Sequence, residues 1–397
     1  MDKQDLKDVR PLVPLNYNKA ESILKLSRSH QDLDLLLHRL KHLQLSTFER
    51  ADDDLVKLAL ENIFGDAAAN ISETDETLAS NRLLLREHVI EELTRLDPRH
   101  LERYLKYRYA YEVFPLEKRV GDFPPVVQIE PTSQCNFRCV FCYQTDKDFT
   151  KKSSGHMGSM SMNLFTDIVD QLEGNVEGIT LASRGEPTLN RNLHEMLRYL
   201  SGKFIAIKIN TNAQLLSEEL SHVILQSGIQ TLVFSADAME ESSYKAMRVN
   251  GDFSKVRDNI IRFNEIRKKF YPNSEIITRV SGVYYNDNQN FTEMERFWGA
   301  YVDQVAFVAY NPWENTYAST KNKISAPCSD LWRRMFIWWD GRVSACDVDY
   351  KTTLALGSVT HSSVTDIWNG EAYRTLREKH LNRQRQDIDI CSRCALT

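Results

Sequence analysis

The chain has 397 residues, 42% of them apolar and 26% charged, with a formal net charge of −5. That length allows two or three domains with ordinary hydrophobic cores. The acidic balance, with pI near 6.1, argues against bulk electrostatic binding to nucleic acid.

Nothing in the sequence approaches the roughly eighteen consecutive apolar residues of a membrane span. The charged start, Met1 to Asp8, lacks the apolar core of a signal peptide. Seven cysteines, some at Cys-x2-Cys spacing, favour metal binding over disulfides here. The expectation is a cytoplasmic protein that needs neither membrane nor nucleic acid.

Residues 1–120 read as a helical region. Leu33, Leu36, Leu37 and Leu40 follow the stripe of an amphipathic helix, as do Leu85, Val89, Leu93 and Leu96 before the stop at Asp97-Pro98. The polar stretch 65–77 reads as a loop. The run from Arg103 to Tyr109 interleaves basic and aromatic residues, a pattern known in nucleic-acid binding; net acidity favours tyrosines packed inward with charges outward.

Residues 121–325 alternate strand-like and helix-like segments. Strands are expected at 126–130, 178–182, 205–210, 231–236, 276–283 and 304–310. Helices are expected at 162–172, 193–200, 217–226, 255–269 and 291–298. Such alternation implies parallel βαβ units, and periodicity alone does not distinguish a flat doubly wound sheet from a barrel.

Directly after the first strand stands Cys135-Asn136-Phe137-Arg138-Cys139-Val140-Phe141-Cys142. A compact loop of this length can aim three thiolates at three irons of one [4Fe–4S] cluster, leaving the fourth iron open. Three buried core thiols or a zinc site are the competing readings; zinc asks for four ligands in paired spacing.

The run, with aromatic Phe141 before the last cysteine, resembles the signature of the radical S-adenosylmethionine (SAM) superfamily. That resemblance implies a partial (β/α)6 barrel and chelation of SAM by the open iron. It also implies an external reductant such as flavodoxin or ferredoxin, and cleavage of SAM to a radical that abstracts a substrate hydrogen. Ser183-Arg184-Gly185-Glu186-Pro187 resembles the family's Gly-Gly-Glu-Pro motif, with Arg184 replacing the first glycine. By resemblance, Gly185 and Glu186 meet the SAM ammonium, for which a carboxylate is the apt acceptor. A positive φ at Arg184 would be costly.

Asn210, Ser235 and Asp237 fall at the next strand ends, where family members place polar groups for SAM. Arg279 alternates with Ser281 and would pair with a carboxylate inside the barrel. Each of these is equally a residue satisfying local backbone. The segment from Tyr310 to Glu314 reads as pocket lining or as an aromatic plug. His156 lies in a Gly/Ser/Met loop, 153–161, that would serve as a lid or simply as a loop.

The last region, 326–397, holds Cys328, Cys346, Cys391 and Cys394. A hairpin around Asp340-Gly341 returns Cys346 toward Cys328, and a helix is expected at 372–381. The spacing resembles the auxiliary-cluster domain of the SPASM/twitch subgroup, which implies a small α+β domain with a second [4Fe–4S] cluster; a four-cysteine zinc site is the alternative.

Three plus four accounts for all seven cysteines, so no thiol remains to return a hydrogen atom to a substrate radical; a tyrosine is the alternative donor. The expectation is an oxidoreductase acting on a small sugar-like substrate: a sugar, an aminocyclitol or a nucleotide-linked sugar. The alternatives are a peptide-modifying maturase, a redox-neutral lyase or deaminase, and a non-enzymatic electron-transfer scaffold.

Overall fold

The computed structural model describes residues 35–43, 54–64, 83, 85–286 and 289–396. Eleven strands are described. They are β1 Val126–Ile129, β2 Arg138–Cys139, β3 Gly178–Leu181, β4 Ala206–Thr211, β5 Thr231–Ser235, β6 Arg248–Val249, β7 Ile277–Tyr284, β8 Gln304–Ala309, β9 Arg334–Ile337, β10 Arg342–Ser344 and β11 Gly357–Ser358. Nine of them form one sheet in the order β11-β10-β9-β1-β3-β4-β5-β7-β8. The run from β1 to β8 is parallel throughout.

Alternation along these strands assigns the two faces. Ile129, Leu181, Ile209, Phe234 and Val280 are fully buried in the main core, which the connecting helices share. The opposite face carries Gln128, Thr180, Lys208, Asn210, Ser235, Arg279, Ser281 and Gln304. Helices on one face and polar side chains on the other make an open, partial barrel with a polar lumen; a flat doubly wound sheet needs helices on both faces. Local signals start the helices where expected: Ser161, Ser217 and Asp252 each accept a backbone N–H in the first turn of Met162–Leu172, Glu218–Gln226 and Phe253–Phe270.

The hairpin β9–β10 does not stand apart from the barrel. β9 pairs in parallel with β1, Val126 opposite Arg334 through Ile129 opposite Ile337, so the C-terminal region extends the barrel sheet. Pairing between strands two hundred residues apart leaves no trace in periodicity.

In the N-terminal region α1 covers 35–43, followed by α2 Asp54–Phe64, α3 Glu87–Arg95 and α4 Leu101–Glu117. Leu36, Leu40, Val89 and Leu93 are buried in a second core; Leu33 and the 65–77 segment lie outside the described residues. Tyr104 and Tyr109 pack inward, while Arg103 forms a two-pronged ion pair with Glu177 at 2.6 and 2.7 Å. Arg95 donates to the Ile276 carbonyl at 3.2 Å. These anchors precede β3 and β7, so α3 and α4 close the N-terminal end of the barrel, opposite the cysteine loop.

Candidate functional site

The cysteine loop leaves the C-terminal end of β1 and is braced by a two-stranded sheet that the sequence did not reveal. β2 pairs antiparallel with β6, Cys139 opposite Arg248, and the Val140 N–H donates to the Met247 carbonyl at 3.0 Å. Arg248 is a residue sequence reasoning missed. Its Nη1 lies 3.7 Å from Cys139 Sγ, and its Nε donates to Asp237 Oδ2. A backbone N–H from Phe137 points at Cys135 Sγ at 3.4 Å. Phe141 packs beside Tyr285, ring centroids 5.7 Å apart.

The Gly185-Glu186 turn presses on this loop. A Cβ at Gly185 would stand 2.3 Å from the Thr132 carbonyl oxygen and 2.4 Å from that of Gln134, so only glycine fits. The Glu186 N–H donates to the Gln134 carbonyl at 2.8 Å. Its buried carboxylate accepts four bonds, from the Thr188 N–H and hydroxyl, the Thr211 hydroxyl and the Asn212 N–H. Burial pushes the Glu186 carboxyl up, and these bonds oppose it. In this arrangement Glu186 ties the end of β4 to the motif, and Asn212 carries the tie onward to Asn136 at 2.8 Å.

Arg184 avoids the positive φ that would be costly for it; the positive φ sits one residue earlier, at Ser183, with φ 155°. Arg184 instead uses its side chain. The guanidinium is completely buried against Glu130, donates to the Tyr350 carbonyl at 2.8 Å and lies 4.0 Å from the centre of a Trp338 ring. A fork of fixed geometry thereby joins β1, the motif and the C-terminal region.

Of the remaining strand-end residues, Asn210 faces the lumen and its Oδ1 is buried without a partner among the described residues. Ser235 is half-buried opposite Ser281 on the same face. Two placements differ from expectation. Asp237 is consumed by Arg248 and by the Val283 N–H at 2.6 Å. Arg279 faces inward but reaches away from the cysteines: its Nε donates to Gln304 Oε1 at 2.6 Å, and Gln304 in turn donates to Glu91. The acidic α3 at the closed end supplies the carboxylate the arginine sought.

The 153–161 segment is a seam rather than a lid. Ser133 and Gly158 exchange bonds at 3.0 and 2.8 Å, and Trp339 Nε1 donates to the His156 carbonyl at 3.0 Å. A Cβ at Gly158 would strike the Trp339 ring at 2.4 Å.

The four C-terminal cysteines gather behind this seam. Burial raises Cys328 and Cys391 to about 12, and each is raised further by the charge of other cysteines in the set; Cys346 is raised by burial and by Cys394, Cys391 and Cys328. Fully buried Arg385 donates to the carbonyls of Cys391, Cys394 and Ala326 at 3.2, 2.7 and 3.1 Å, fixing the short turn. Beside Cys346, half-buried Asp347 reaches the barrel, accepting from Gln128 Nε2 at 2.8 Å and the Ser183 hydroxyl at 3.0 Å. Burial pushes its carboxyl up to about 6.

Across the mouth, the turn after β8 holds Trp313 and Glu314. Trp313 stacks on Tyr143 with ring centroids 6.2 Å apart, and Glu314 accepts from the Tyr310 hydroxyl. Trp313 Nε1 and Glu314 Oε2 are buried without partners among the described residues.

Both cysteine sets suit iron–sulfur clusters. Burial raises Cys135 to about 12, with Glu186 adding to it, and pushes up Cys139 and Cys142 as well; such thiols become ligands by shedding protons as iron binds. Among the described residues no three His, Cys, Asp or Glu side chains close in tightly enough for a single metal ion. A cubane, with one thiolate on each of several irons, does not require that convergence.

Residues 129–290 match the radical SAM superfamily model, and residues 328–395 match SPASM, an iron–sulfur cluster-binding domain. The chain is 30% identical over 134 residues to Fe-coproporphyrin III synthase of Methanosarcina barkeri, covering 33% of this chain and 32% of the relative. It is 30% identical over 113 residues to the tungsten-containing aldehyde ferredoxin oxidoreductase cofactor-modifying protein of Pyrococcus furiosus, covering 28% and 30%. The chain thus spans about a third of the length of these two curated relatives.

Among solved structures, BtrN in complex with AdoMet and 2-DOIA aligns with TM-score 0.48 and 18% identity over 70% of this chain and 94% of that one. SuiB of Streptococcus suis bound to S-adenosylmethionine aligns with TM-score 0.48 and 16% identity over 77% and 84%. No helix among the described residues is long and apolar enough to cross a membrane. Together with the partial barrel, the cysteine loop and the C-terminal cysteine set, these matches show a radical SAM domain over residues 129–290 and a SPASM domain over residues 328–395, which imply a SAM-binding [4Fe–4S] cluster, SAM and a further iron–sulfur cluster as cofactors.

Proposed function

We propose that the chain oxidises a sugar-like alcohol, an aminocyclitol or a nucleotide-linked sugar. In this reading Cys135, Cys139 and Cys142 would hold the SAM-binding cluster, and Cys328, Cys346, Cys391 and Cys394 the second one. The observation that carries it is the four-cysteine C-terminal set inside the SPASM match, its Cys391–Cys394 turn fixed by buried Arg385 through both carbonyls. With both sets filled, none of the seven cysteines is left to return a hydrogen atom. A second cluster with all four corners ligated offers substrate no open iron, and electron transfer is the role left to it. When bound, the first cluster and SAM supply the radical that removes the substrate hydrogen, and the second cluster supplies an electron acceptor.

The chain's own residues bind and orient the substrate. Trp313 Nε1 is a donor and Glu314 Oε2 an acceptor, both buried and unpartnered among the described residues. An unsatisfied buried polar group costs about 1–3 kcal/mol, and a hydroxyl satisfies donor and acceptor together. Tyr143, Phe149 and Tyr350 pack around Trp313 and keep water from the mouth. Asp347, held by Gln128 and Ser183, offers a carboxylate on the lumen side.

The test is anaerobic incubation of the two-cluster protein with SAM, a low-potential reductant and a panel of hexoses, aminocyclitols and nucleotide-linked hexoses. Formation of 5′-deoxyadenosine together with a product two hydrogens lighter supports the reading. A product without net hydrogen loss, or turnover of peptides alone, overturns it.

A further inference from the structure

We infer that Arg248 is a positioning residue that makes the SAM-binding cluster easier to reduce, with Asp237 restraining the effect. This rests on the reading that Cys139 is a ligand of that cluster. Arg248 belongs to the short strand β6, and the β2–β6 pairing sets its Cα directly opposite that of Cys139. The Arg248 side chain is 8% exposed and that of Asp237 is 0% exposed. One guanidinium nitrogen, Nη1, lies 3.7 Å from Cys139 Sγ; another, Nε, donates to Asp237 Oδ2. The Arg248 cation also sits 5.7 Å from the centre of the Phe141 ring, one residue before Cys142. Asp237 is itself fixed, because its Oδ1 accepts the Val283 N–H at 2.6 Å.

The consequence follows from charge. Reduction adds one electron, supplied by an external one-electron donor of flavodoxin or ferredoxin type, and breaks no bond. It makes the cluster and its thiolates more negative. A buried cation donating to one of those sulfurs stabilises the reduced state and raises the potential; hydrogen bonds to cluster sulfurs act in the same direction. Asp237 stands on the far side of the guanidinium, so its negative charge offsets part of that gain. The two residues therefore pull the potential in opposite directions while being bonded to each other.

The experiment is an EPR-monitored redox titration of the anaerobic two-cluster protein. The SAM-binding cluster is identified by the signal that changes when SAM is added. Arg248→Met should shift its midpoint to lower potential, and Asp237→Asn, which keeps the acceptor for the Val283 N–H, should shift it higher. If Arg248→Met fails to hold iron because Asp237 is left buried and unpaired, the double variant Arg248→Met with Asp237→Asn replaces it and should lie below the native midpoint. Simple structural damage would not move the two single variants in opposite directions. Equal midpoints in the native protein and the charge variants, or shifts of the same sign, overturn the inference. A native protein with no SAM-responsive signal overturns the underlying cluster assignment instead.

Discussion

Arg184 and Glu130 meet fork to fork, Nε at 2.7 Å from Oε2 and Nη2 at 2.6 Å from Oε1, with neither side chain exposed. The same carboxylate accepts the backbone N–H groups of Arg184 at 3.1 Å and Trp339 at 3.2 Å. One ion pair thus links the first strand, the Gly185-Glu186 turn and the C-terminal region. Breaking a buried pair from one side leaves a charge uncompensated and costs about 3–5 kcal/mol, whereas removing both charges costs far less. Arg184→Met should therefore lower the thermal midpoint of the anaerobic holo-protein substantially. Adding Glu130→Gln should recover much of that loss, as read by the same melt.

Gly185→Ala should disrupt the cysteine loop selectively. The new methyl group would meet two backbone oxygens at 2.3 and 2.4 Å, and backbone cannot step aside as a flexible side chain can. Iron content after reconstitution should fall from about eight atoms per chain toward about four. A variant that loads iron like the native protein would contradict the tight seat described for this turn.

Cys391→Ala should separate the two chemistries. SAM cleavage to 5′-deoxyadenosine should persist in part, while the oxidised product should disappear because the second cluster has lost a ligand. Product analysis by mass spectrometry reads both outcomes in one reaction. Undiminished product would remove the electron-accepting role.

Glu314→Gln and Trp313→Phe should act on substrate rather than on SAM. Each removes or weakens one of the two buried, unpartnered groups at the mouth. A lost hydrogen bond to a substrate hydroxyl is worth about 0.5–1.5 kcal/mol when neutral and about 1.5–3 kcal/mol when one partner is charged. The expected result is a rise in substrate KM of roughly 10-fold or more for Glu314→Gln. SAM cleavage without substrate should be unchanged.

Much of the barrel was legible in the sequence because its strands alternate cleanly between a helix-facing and a lumen-facing side. Ile209 and Phe234 alternate with Asn210 and Ser235, and each of the six expected parallel strands appears within two residues of its expected bounds. The cysteine spacing likewise carries its own chemistry. Pairings remote in sequence were not legible. The β9–β1 contact and the β2–β6 brace depend on tertiary placement, and two-residue strands have no periodicity to read.

Arg184 was visible only as a departure from a glycine, since nothing local announces a partner fifty-four residues away. Arg248 was invisible because its role depends on lying opposite Cys139. Arg279 was correctly turned inward, yet its reach was misjudged because a strand pattern does not say which end a long side chain will choose. Glu91, on a helix that closes the other end of the barrel, settles that choice through Gln304.

EPR of the reduced, anaerobic protein during titration with SAM is the decisive measurement, because only an incompletely ligated iron at the cysteine loop can take the nucleotide. One of two cluster signals should change shape as SAM is added, and Cys139→Ala should lose the response while keeping the other signal. A spectrum indifferent to SAM would contradict the open iron at that loop.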